Sequence, residues 1–96
     1  MSKNNETTIK LAIEQLLKAY RLKDGITAVR LRSCWEELMG KSIAKHTTHI
    51  HIDKKRVFIS LNSAVLRHEL SFSKEKIIDL LNEKLGEKII EEVILN

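Results

Sequence analysis

The sequence predicts a small α+β domain in which a three-stranded sheet carries helices on one face. Three observations carry that expectation. Apolar residues recur at helical spacing up to Gly40, the period changes to two between Thr48 and Leu61, and a second long helical pattern precedes a β-branched C-terminus. With 96 residues and 43% hydrophobic content, the chain supplies one domain with a modest core. The expected order is α-α-β-β-α-β, with residues 1–6 a flexible polar N-terminus and 7–96 a single domain.

Ile9, Ile13, Leu16, Leu17 and Tyr20 fall on one helical face, and Thr7 or Thr8 offers a cap at the start. Gly25 is expected to break this first helix. A second stripe, Leu31, Cys34, Trp35 and Leu38, runs to Gly40, a suitable residue for a helix C-terminus. Ser42 to His46 offers one further turn. Ile50 and Ile52 then alternate with His49, His51 and Asp53, and Val57, Ile59 and Leu61 with Phe58 and Ser60, so two antiparallel strands meet at the polar turn Asp53-Lys54-Lys55-Arg56. Asn62 or Ser63 caps a long helix carrying Leu66, Leu70, Ile77, Leu81 and Leu85. Ser71-Phe72-Ser73 is a point where it can kink, and Gly86 closes it. Ile90, Val93, Ile94 and Leu95 read as the last strand. The strands show one apolar and one polar side, which places the helices on a single face of the sheet.

Charge is distributed unevenly. Residues 1–68 hold 13 Lys and Arg against 6 Asp and Glu, a balance of +7, whereas residues 69–96 hold 4 against 7, a balance of −3. A positive field of this kind favours polyanions. Its ordinary alternative, a solvated charged surface, stands beside it. One cysteine, Cys34, excludes an internal disulfide, the polar N-terminus has no apolar stretch for a signal peptide, and no apolar run approaches a membrane span. The expectation is a cytoplasmic protein.

Catalytic chemistry finds no constellation. Gly40-Lys41-Ser42 copies the end of a phosphate-binding loop, but Trp35 stands where its first glycine must be and the segment follows a helix. His46, His49 and His51 lack the Cys or carboxylate at matching spacing that a metal site requires. Cys34 belongs to an apolar stripe, and the adjacent pairs Glu36-Glu37 and Glu91-Glu92 point their side chains in different directions. No enzyme, cofactor, metal or small-molecule substrate is expected.

Basic residues around the hairpin are the candidate site. Lys54, Lys55 and Arg56 occupy the turn, Arg67 lies early on the long helix beside His68, and Lys45 precedes the first strand. Arg30 and Lys41, eleven residues apart, are expected to fall on one helical face, since that spacing is about three turns. Phe58 is the one aromatic residue on the polar side of the sheet. Phosphate contact is therefore expected to dominate base stacking, without sequence-specific reading.

Taken in order, Leu16 to Leu22, Trp35-Glu36-Glu37-Leu38-Met39-Gly40-Lys41-Ser42-Ile43-Ala44-Lys45-His46-Thr47, Val57-Phe58-Ile59-Ser60-Leu61-Asn62-Ser63, Leu66-Arg67-His68-Glu69-Leu70 and Leu81-Asn82-Glu83-Lys84-Leu85-Gly86 resemble the DciA-like replicative helicase loaders. The resemblance implies a KH-like fold, no enzymatic activity, and binding to DNA and to the replicative DNA helicase. The DNA expected is single-stranded. Two departures mark this sequence: Leu66 replaces an aromatic residue common after the second strand, and the C-terminal extension of longer members is missing. It also lacks the Gly-x-x-Gly loop with which KH domains clamp nucleotides. Basic residues would hold the phosphate backbone, and an apolar or acidic surface such as the 87–92 end would engage the helicase. Two other readings remain open: an RNA-binding KH-like module, and a protein-interaction domain that binds no nucleic acid.

Overall fold

The computed structural model describes the backbone of residues 2–96 and the side chains from Glu6 onward. Met1, part of the expected flexible N-terminus, lies outside the described residues. The elements are α1 (Ser2–Ser33), α2 (Trp35–Met39), α3 (Lys41–His46), β1 (Thr47–Asp53), β2 (Arg56–Leu61), α4 (Ala64–Ser71), α5 (Lys74–Leu85) and β3 (Glu92–Leu95). The α+β class and the three strands agree with the sequence; the helices are divided differently.

Gly25 does not break a helix. It lies inside α1, because the helical pattern resumes at once with Thr27, Ala28 and Leu31, which bury against the sheet and hold the helix together across it. A glycine in a helix interior costs only about 1 kcal/mol relative to alanine, less than this packing supplies. Thr7 and Thr8 are accordingly interior residues of α1 instead of caps. The break comes at Cys34, where the stripe from Leu31 to Leu38 is split between α1 and α2. Gly40, at φ 88° and ψ 163°, then turns the chain from α2 into α3, a conformation essentially reserved for glycine.

In the sheet, β2 is central. It pairs antiparallel with β1 and parallel with β3, and α4 and α5 form the crossover between the parallel strands. Ser63 caps α4 by accepting the Leu66 amide at 3.3 Å. Phe72 and Ser73 separate α4 from α5, and Gly86 ends α5 at φ 81°. The core lies on one sheet face, where Ile50, Ile52, Val57, Ile59, Leu61 and Val93 meet Leu31, Trp35, Ile77, Leu81 and Leu85.

Two polar clamps fix the segments around that core. The indole of Trp35 donates to Thr47 Oγ1 at 3.0 Å, and the Thr47 hydroxyl donates to the Ile43 carbonyl at 2.7 Å. A buried indole N–H thus finds a partner, and α2, α3 and β1 are tied together. Asn82 spans the return to β3: its Oδ1 accepts the amides of Ile89 (3.1 Å) and Ile90 (2.8 Å), and its Nδ2 donates to the Ile90 carbonyl at 2.8 Å.

Candidate nucleic-acid interface

Among the described residues, no helix covers the face of the sheet opposite the core. Strand alternation sends Ile50, Ile52, Val57 and Ile59 inward, so His49, His51, Phe58 and Ser60 line the outer side. Pairing sets them in rows: His49 opposite Ser60, His51 opposite Phe58 and then Ile94, Asp53 opposite Arg56 and then Glu92. The His49 and His51 rings are 6.5 Å apart and nearly parallel, and His51 stands 5.8 Å from Phe58. Arg56 completes the series with its guanidinium carbon 5.4 Å from the Phe58 ring centroid. Four flat groups therefore form one continuous surface.

Phe58 is thus not alone. The two imidazoles widen the platform beyond the one aromatic residue that the sequence suggests, and the alternation of His49 and His51 opposite Phe58 was the signal for it. Arg32 is a further residue outside the expected set; it reaches the β1 edge, where Nη1 donates to the Ile50 carbonyl at 3.4 Å.

The expected basic residues divide into three places. Lys54, Lys55 and Arg56 stand at the hairpin tip. Lys54 is held at φ 59° and its amide donates to Asp24 Oδ2 of α1 at 2.9 Å. Lys55 pairs with Glu91 at 3.3 Å and Arg56 with Asp53 at 3.2 Å, both in solvent-exposed contacts that contribute about 0–1 kcal/mol and leave the cations open to competition by phosphate. Lys41 and Lys45 are exposed on α3, which leads into the other end of β1. Seven residues of strand separate these two groups by about 20 Å, with the rings between them.

Arg67 and Arg30 are placed differently. Arg67 Nη1 donates to the Leu61 carbonyl at 2.6 Å, which ties the half-buried guanidinium to the end of β2. Arg30 borders a small depression with Cys34, Lys84 and Leu85 on the helical side of the molecule. Since α1 ends at Ser33 and Lys41 begins α3, Arg30 and Lys41 do not share one helical face, and that expectation is corrected.

No group of three or more His, Cys, Asp or Glu able to hold a metal ion occurs among the described residues. His46 instead turns to Asn62, with Nδ1 donating to Oδ1 at 2.8 Å. Cys34 is half-buried, its thiol donating to the Arg30 carbonyl at 3.2 Å. No described helix is long and apolar enough to cross a membrane.

Fold and face together define the class: a small two-layer α+β domain with helices on one side of a three-stranded sheet and an open, ring-lined surface on the other. The chain belongs to the family described as Dna[CI] antecedent, DciA, whose sequence profile matches residues 8–95. A UPF0232 protein of Corynebacterium glutamicum (strain R) is 38% identical over 61 residues, which cover 64% of this chain and 34% of that protein. The chain thus aligns with about a third of that relative's length.

Proposed function

We propose that this chain is a non-enzymatic DNA replication accessory protein that binds single-stranded DNA and the replicative helicase and assists helicase loading. The family is associated with replication, and the observation that carries the DNA part is the basic-aromatic-basic strip along the β1–β2 hairpin. Cations at the two ends engage phosphates while Phe58, His49 and His51 offer π-faces to bases. Neither contact reads sequence, since every base has a stacking face and every nucleotide a phosphate. Lys41, Lys45, Lys54, Lys55 and Arg56 are the binding residues on a KH-like scaffold. Arg67 contributes what its Leu61 contact leaves free, and Arg30 sits apart from the strip.

The helicase would engage the opposite end of the charge distribution. Asp79, Glu83, Glu87 and Glu91, the last paired with Lys55, rim a shallow cleft between α5 and the return to β3 that Lys88 also lines, and its net negative sign suits a basic partner surface. Binding energy alone carries the mechanism: one surface holds the strand, another holds the helicase, and the two ligands are brought close together. Co-purification with a hexameric replicative helicase tests this reading. The expected result is a complex weakened by Glu83→Lys and Glu87→Lys; a helicase that passes through without retention contradicts the helicase part, and the DNA part is tested separately by oligonucleotide binding.

A further inference from the structure

We infer that the N-terminal half of α1 is an antiparallel self-association seam that takes a second copy of this chain. The face of α1 that buries Thr27, Ala28 and Leu31 against the sheet continues, at the same helical angle, through Ile9, Ile13, Leu16 and Tyr20. In that stretch no described residue covers it. Ile9 is 60% exposed, Ile13 53%, Leu16 56% and Tyr20 59%, and beyond this stretch Asp24 accepts the Lys54 amide at the hairpin tip. A helix of 32 residues is about 48 Å long, so its first half projects from the domain, in keeping with a molecule 59 Å along its longest axis.

The spacing of this stripe is that of a helix-pairing seam: Glu6, Ile9, Ile13, Leu16, Tyr20 and Lys23 follow each other at intervals of three, four, three, four and three. Placed antiparallel about a twofold axis between residues 14 and 15, the seam is self-complementary. Ile9 faces Tyr20 of the second copy, Ile13 faces Leu16, and at both ends Glu6 faces Lys23. Four apolar layers are thus closed on each side by an opposite-charge pair. Ala12 and Ala19, seven residues apart on one flank, are small enough to let the helices approach closely.

Area agrees. With Leu17 at the margin, the exposed apolar side chains leave about 400–500 Å² per copy, the size of the largest apolar patch on a typical monomer, which is often functional. Pairing two such surfaces, with the stems of flanking lysines laid over them, buries about 1,000 Å², the lower bound of a specific interface. The contact is isologous and closed, so it stops at two copies.

Sedimentation equilibrium on the full chain tests this. The expected mass at micromolar concentration is that of two chains, against 11.1 kDa for one. Ile13→Glu with Leu16→Glu is expected to give the single-chain mass with unchanged sheet signal in circular dichroism, while Leu22→Glu, on the opposite side of α1, keeps the dimer. Glu6→Lys and Lys23→Glu are each expected to weaken self-association about tenfold or more, because like charges then meet at both ends. Mixing these two variants restores it, since both ends again pair opposite charges. A single-chain mass for the unaltered protein overturns the inference, whether the stripe folds back on its own body or awaits a different protein. A dimer that survives Ile13→Glu with Leu16→Glu, or a mixture that fails to recover, also overturns it.

Discussion

The guanidinium of Arg56 lies 5.4 Å from the centre of the Phe58 ring. These two residues are two apart on β2 and so project from the same face, where Arg56 is also held 3.2 Å from Asp53. On the proposed reading, this cation and the half-exposed ring beneath it would supply a phosphate ligand and a stacking surface at adjacent positions.

Phe58→Ala is expected to weaken binding to single-stranded DNA by about 5- to 150-fold, the range for removing the stacking of one base. Phe58→Trp is expected to retain or improve it. Because Phe58 is on the outer face, neither change should alter the fold. Fluorescence anisotropy with a labelled oligonucleotide measures both, and equal affinities for the Ala and Trp variants would remove stacking from the account.

Lys54 and Lys55 are expected to act through charge alone. Lys54→Gln with Lys55→Gln will lower affinity and reduce the steepness of its salt dependence by about 0.7 for each phosphate that is no longer neutralised. Arg30→Gln, on the helical side, will leave both unchanged. An Arg30 effect as large as that of the tip lysines would relocate the interface to the helices.

The two glycines with positive φ are expected to differ in cost. Gly86, at φ 81° and ψ 5°, occupies the left-handed helical region, where alanine costs about 1 kcal/mol. Gly40, at φ 88° and ψ 163°, occupies a region that side chains hardly enter, so Gly40→Ala is expected to cost about 2–3 kcal/mol. Urea denaturation reads the order, and a smaller loss at Gly40 would contradict the geometry at the α2–α3 junction.

Asn82 makes three hydrogen bonds to the segment preceding β3. Asn82→Leu keeps the volume but leaves partly buried amides without an acceptor, for an expected loss of about 2–3 kcal/mol. Asn82→Asp keeps the acceptor and loses only the donor to the Ile90 carbonyl, so its loss will be smaller. Chemical denaturation of the pair checks this ranking.

Local signals in the sequence located much of this fold. The change of period at Thr48 marks the sheet, Ser63 caps α4, Gly86 ends α5, and the alternation in β1 and β2 separates the core face from the open one. Gly25 was misleading because a residue's helix propensity is weaker than the tertiary packing of its neighbours. The stripe from Ile9 to Tyr20 was legible as one helical face, but periodicity reports amphipathicity and says nothing of where the partner lies, and these residues stand exposed. For the site, the turn lysines were visible as a charge run, whereas the His49–His51–Phe58–Arg56 surface depends on strand register, and the separation of Arg30 from Lys41 on the turn at Cys34.

The central claim is that the hairpin strip holds single-stranded DNA chiefly through its phosphates, and a salt series of oligonucleotide binding tests it most directly. With five cations on the strip, the logarithm of the association constant is predicted to fall with the logarithm of salt at a slope of about −2 to −3, given about 0.7 per neutralised phosphate and partial competition from Asp53 and Glu91. Absence of binding at low salt, or an affinity indifferent to salt, would contradict it.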